Sequence, residues 1–179
     1  TLAMCVVLFV GYVLVLRLVA WVASPNDGEA PVVTYNGKVV GAANVGQVFT
    51  DSVYFWGRPS NVDYNGGGSG GSNKGTNNPE YLAQVEERID AFLAAHPYLS
   101  REEVPAEMVT ASGSGLDPDI SPRGAEVQIR RVAEARGMSV EEVKRIVDSV
   151  TEGPWLGLFG TSKVNVLKLN VALDTAQNK

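Results

Sequence analysis

The first two dozen residues constrain this chain more than any others: from Leu2 to Ala23 every side chain is apolar or aromatic except Gly11 and Arg17. As a helix rising ~1.5 Å per residue, such a run reaches roughly 33 Å, against a hydrocarbon core of ~30 Å. A core helix of a soluble domain would keep a polar face, and this segment has none. A cleaved signal peptide would have a shorter apolar stretch, a basic residue ahead of it, and small residues at positions −3 and −1. Here no Lys or Arg precedes the run, and a cut after Ala23 would leave Trp21 at −3. The sequence predicts a retained transmembrane helix over residues 1–23 and one soluble domain over residues 24–179. The chain opens on Thr1, so a short N-terminal piece is expected ahead of it.

A charge near the bilayer centre costs ~2.5–3.5 kcal/mol on insertion scales. Arg17 sits two-thirds of the way along the run, which leaves two solutions. It snorkels to the outer headgroups, or it pairs with a carboxylate or carbonyl on a neighbouring helix, which makes it an interface candidate. Residues 24–31 carry Asp27 and Glu29, with no Lys or Arg before Lys38. Basic flanks stay cytoplasmic, so the domain is expected outside the cytoplasm. Cys5, the single cysteine, lies inside the span and excludes an intrachain disulfide. A net charge of −5 argues against nucleic acid or an anionic lipid surface as the main partner.

After the polar exit, Val32, Val33, Tyr35, Val39 and Val40 surround Asn36-Gly37, a hairpin signal because that turn requires positive φ. Residues 45–56 are rich in β-branched and aromatic side chains and predict strand plus turn. Residues 65–78 contain six glycines and predict a long loop. Three helices follow. Asn78-Pro79 opens the first, with Leu82, Val85, Ile89, Phe92 and Leu93 as its apolar stripe. Ser121-Pro122 opens the second, which runs to Arg136 and closes on Gly137. Ser139 and Glu142 box the third, with Val143, Ile146, Val147 and Val150 inward. Residues 164–169 predict a last strand, and the whole reads as α+β with a small sheet.

None of the polar clusters has the arrangement of an active site. In the glycine loop Gly75 follows Lys74, which breaks the order a phosphate-binding P-loop needs. Ser112 and Ser114 lack the flanking glycines of a nucleophile elbow. His96, the only imidazole, is expected to be exposed at a helix end, and no zinc ligand set exists. Asp117 and Asp119 read as turn chemistry ahead of the Ser121 cap, or as a lure for cations. Tyr54, Phe55, Trp56 and Arg58 are interface candidates, since aromatics with arginine populate interface centres, though core packing fits them equally.

Several blocks in order resemble a known family. They are Gly46-Gln47-Val48-Phe49, Tyr54-Phe55-Trp56-Gly57-Arg58-Pro59-Ser60, and Gly70-Gly71-Ser72-Asn73 with Asn78-Pro79. Then come Val109-Thr110-Ala111-Ser112-Gly113-Ser114-Gly115-Leu116-Asp117, Ile120-Ser121-Pro122, Arg131-Val132-Ala133 and Val164-Asn165-Val166. Leu169-Asn170, then Ala172-Leu173-Asp174 after one unspecified position, close the set. Together they resemble the KdpC subunit of the bacterial high-affinity potassium-transporting P-type ATPase. The resemblance implies an accessory subunit of the inner membrane, single-pass, with its large domain outside. Its implied partners are a channel-like potassium-translocating subunit, an ATP-hydrolysing P-type subunit and a very small membrane peptide. It implies no catalytic centre and no tightly bound cofactor, with ATP and potassium handled by the complex.

The implied role is to stabilise assembly and, as a catalytic chaperone, to raise the ATP affinity of the hydrolysing subunit. The family's nucleotide association falls on Ser69, Gly70, Gly71, Ser72 and Asn73, although Gly68 stands where the family has glutamine. ATP is cytoplasmic and this loop is expected outside, so an indirect chaperone role follows. The alternative is a stand-alone anchored module that binds an extracytoplasmic ligand through the glycine loop. Deleting residues 66–71 separates them by whether assembly or ligand binding is lost.

Overall fold

The computed structural model describes residues 1–177, so the last two residues of the predicted domain, 178 and 179, lie outside the described residues. Helix α1, Leu2–Ala23, is long and apolar enough to cross a membrane, and none of its 18-residue apolar window is buried by the rest of the chain. Its turns over Val6–Gly11 have the wider spacing of a π-helix. Ser24 stops it by turning extended, and Asn26, Asp27 and Gly28 then all take positive φ. This left-handed turn folds the exit back on the helix, so closely that a Cβ on Gly28 would lie 2.7 Å from Ala20 Cβ. Glu29 thereby reaches Arg17 at 2.8 Å. Within this chain, Arg17 thus has a carboxylate partner in the exit turn.

The region beyond α1 is mixed α and β with two small antiparallel sheets. Strands β1 (Val32–Tyr35) and β2 (Lys38–Ala42) form the predicted hairpin, with Tyr35 opposite Lys38 and the Asn36-Gly37 turn at positive φ. Helix α2 spans Pro79–Ala95, and the Asn78 side chain accepts the Tyr81 N–H. Strand β3 (Asp119–Ile120) leads into α3 (Pro122–Glu126), α4 (Ile129–Arg136) and α5 (Val140–Val150). Strands β4 (Thr151–Glu152) and β5 (Lys163–Asn165) complete the second sheet, in the order β3-β5-β4, and α6 (Val166–Gln177) follows directly. The core gathers Phe55, Phe92, Ile120, Val132, Val143, Val164, Leu169 and Leu173.

Four local expectations are corrected. The strand expected over residues 164–169 stops at Asn165, which ends β5 and whose Oδ1 accepts the Lys168 N–H, capping a helix on which Val166, Leu169 and Leu173 share the buried side. The helix expected from Pro122 to Arg136 breaks at Val127 and Gln128, where the Gln128 side chain turns inward to the Gly124 carbonyl at 2.9 Å. Leu82, placed on the α2 stripe, stays exposed, while Val85, Ile89 and Phe92 do pack inward. Residues 45–56 form no strand, for a reason that lies at the site itself.

Candidate functional site

Backbone groups withdrawn from water need partners, and a strand without a sheet has none of its own. Here side chains supply them to residues 52–56. Asn170 Oδ1 accepts the Phe55 N–H at 2.8 Å while its Nδ2 donates to the Phe55 carbonyl at 3.0 Å, the exchange a neighbouring strand would make. Gln128 does the same for Trp56, accepting its N–H at 2.8 Å and donating to its carbonyl at 3.2 Å. Arg131 donates to the carbonyls of Ser52 and Tyr54, and Arg136 to that of Val53. The β-rich composition therefore gives an extended segment held by side chains from α4 and α6 and from the α3–α4 break.

Arg131 is the centre of this arrangement. It is only 6% exposed, its guanidinium lies 4.1 Å from the Trp56 ring centroid, and it also donates to Gln128 Oε1 and to His96 Nε2. Burial pulls its pKa down to about 10, so it stays charged at neutral pH. His96, expected at the surface, is fully buried: its ring stacks on Phe92 and its Nδ1 lies 2.7 Å from the Phe92 carbonyl. With Nε2 accepting from Arg131, the imidazole is neutral.

Burial, with the Arg131 charge beside it, lowers the His96 pKa to about 4, against 6.5 in the unfolded chain. The sign follows from that direction. Between these values the unfolded chain binds a proton that the folded chain refuses, so stability is full above about 6.5 and falls as pH drops towards 4. The loss should be on the order of 2–3 kcal/mol. Denaturation midpoints compared at neutral and acid pH check it: His96→Gln should remove this component of the acid slope.

The interface candidates divide. Phe55 is wholly buried in the core and has no surface to present, which withdraws it as a contact residue. Tyr54 is half-buried between Asp174, which accepts its hydroxyl at 3.2 Å, and the Arg136 guanidinium. Trp56 and Arg58 line an open cleft of about 280 Å³ with Phe49 and Tyr64. Arg58 pairs with Asp117 at 3.0 Å, and its buried Nε has no acceptor among the described residues. Asp117 also accepts the Asp119 N–H, and Asp119 pairs with Lys163 at 2.9 Å. Both carboxylates are thus engaged by the protein's own cations. Arg17 lies apart from all of these, in α1.

The two glycine-serine segments pack on each other. Gly70 N–H and Ser69 Oγ both donate to the Ser114 carbonyl, at 2.8 and 2.9 Å. Buried Ser112 accepts the Gly115 N–H at 2.9 Å, and Ser60 Oγ donates to the Gly115 carbonyl at 2.7 Å. Other N–H groups of the loop serve its own turns: Gly67 and Gly68 bind Asn65, and Lys74 binds Ser72 Oγ. Of the residues that the resemblance links to nucleotide, Ser69, Gly70 and Gly71 join this seam, while exposed Asn73 turns at positive φ. The donors of a phosphate cradle converge on one point; these face the opposing loop and the loop's own turns.

Sequence reasoning missed Gln128, Asn170, Arg131 and Arg136 as backbone partners. Polar residues on the inner faces of otherwise apolar helical stretches were the available signal. Comparison with known proteins now adds to this geometry. The family model described as "K+-transporting ATPase, c chain" matches residues 1–175. A Bacteroides fragilis protein named "Potassium-transporting ATPase KdpC subunit" is 65% identical, covering 100% of this chain and 95% of its own length. A Phocaeicola vulgatus protein of the same name is 65% identical over 99% of this chain and 95% of its own. One from Caldanaerobacter subterraneus subsp. tengcongensis is 45% identical over 97% and 90%.

Proposed function

The chain belongs to the KdpC family, the c chain of the K+-transporting ATPase, and from this we propose that it acts as a membrane-anchored accessory subunit with no catalytic centre of its own. Helix α1 passes once through the inner membrane, and its acidic flank supports a position outside the cytoplasm for the region beyond it. There it stabilises the assembly with the channel-like subunit, the ATP-hydrolysing subunit and the small membrane peptide. It raises the ATP affinity of the hydrolysing subunit indirectly, through contact with the channel-like one.

The observation that carries this reading is the commitment of the glycine loop. Gly70 N–H and Ser69 Oγ bind the Ser114 carbonyl and Ser72 Oγ accepts the Lys74 N–H, so these groups serve the domain's shape more than a phosphate. A buried neutral His96, tied to Phe92 and Arg131, likewise offers no general base. The test is a photoreactive ATP analogue applied to the purified complex. Label should appear on the hydrolysing subunit alone, and leaving out this chain should weaken ATP binding there. Label on residues 69–73 would contradict the indirect role.

A further inference from the structure

Between β4 and β5 the chain leaves the sheet for residues 153–162, a stretch without one charged side chain. Trp155 and Phe159 exchange both backbone hydrogen bonds, at 2.8 and 3.0 Å, and close a tight tip. Leu156 and Gly157 make the reversal at φ of 54° and 72°, and the Leu158 N–H donates to the Trp155 carbonyl at 3.1 Å. Leucine in the left-handed region costs roughly 1–2 kcal/mol, and glycine or asparagine would make the same turn without that strain. The large side chains nevertheless point into solvent: Trp155 and Leu156 are 70% exposed, Leu158 81% and Phe159 60%. Outside α1, no other segment among the described residues gathers so many exposed large apolar side chains. The fold does not need them where they are, and contiguous apolar patches mark interaction surfaces.

We propose that this tip is a plug that seats in an uncharged apolar cleft on the extracytoplasmic face of a neighbouring subunit of the same complex. The inference rests on the accessory-subunit reading and names where that subunit is gripped. Charge decides for a protein cleft over a lipid surface. Interfacial lipid anchors couple their apolar face to free Lys or Arg. Here the flanking cations are already held, Lys163 by Asp119 and Lys168 by Glu152, each at 2.9 Å, on a chain of net charge −5. The closed turn also fixes the tip before binding, which lowers the entropic cost of docking, and a Trp–Phe pair with ring centroids 5.8 Å apart is the composition of an interface hot spot.

The experiment is copurification of the assembled complex with the tagged chain, wild type against Trp155→Ser/Leu158→Ser. Alongside it, a photo-crosslinking side chain at Leu158 is activated in native membranes. The double variant should hold its partner subunits roughly thirtyfold more weakly, the scale of a lost hot spot, with its own melting temperature unchanged. The crosslink should join this chain to another subunit of the complex. Equal retention by the variant, or a crosslink to lipid alone or to a second copy, overturns the plug while leaving the accessory role standing. A wild-type chain that brings no other subunit with it overturns both.

Discussion

Replacing Arg131 with methionine should destabilise the folded chain by about 3–5 kcal/mol, the scale for breaking a buried charged network. Methionine keeps much of the apolar stem but removes every donor. The carbonyls of Ser52 and Tyr54, together with His96 Nε2, then lose the guanidinium that serves them, and Trp56 loses the cation over its ring. An acceptor left unpaired away from water costs about 1–3 kcal/mol. Lysine at the same position restores charge but not the planar fork that reaches several acceptors at once, so it should rescue less than half. Chemical denaturation of the full chain in detergent reads the loss directly. A midpoint unchanged in Arg131→Met would mean that residues 52–56 are held by something other than these side chains.

Gly115→Ala should be nearly as costly, about 2–4 kcal/mol, because two effects coincide. Gly115 has φ of 68°, where a Cβ is strained, and that Cβ would stand 2.5 Å from Val62 Cγ2 and 2.9 Å from the Gly70 carbonyl oxygen. The clash falls on the seam between the two glycine-serine segments, so the variant should also expose residues 65–78 to protease. Gly137 separates strain from crowding. Its φ is 64°, yet a Cβ there meets nothing within 4 Å. Gly137→Ala should therefore cost only about 1 kcal/mol and leave the loop as resistant as before.

Local chemistry was legible in the sequence wherever one residue type has one use. Asn36-Gly37 demanded a hairpin, Asn78-Pro79 a helix start and Gly137 a left-handed stop, and each stands where expected. Partnership over long sequence distances was not legible. Nothing in the run Tyr54-Phe55-Trp56 reveals that Asn170 and Gln128 will take the place of a neighbouring strand, since those residues lie 115 and 72 positions away. His96 beside Pro97 has the local look of an exposed helix end. Only the convergence of Phe92, Trp56 and Arg131 buries it. The seam joining residues 69–71 to residues 113–115 was hidden for the same reason: glycine marks where a backbone can approach, not what approaches it.

On the proposed topology, the region beyond α1 lies outside the cytoplasm and holds its sister subunits there. The most direct measurement adds protease to intact spheroplasts that carry the assembled complex. The domain should be cut without permeabilisation, leaving a fragment that contains α1 in the membrane. Protection until the membrane is opened would put the domain on the ATP side, the opposite of the proposed topology.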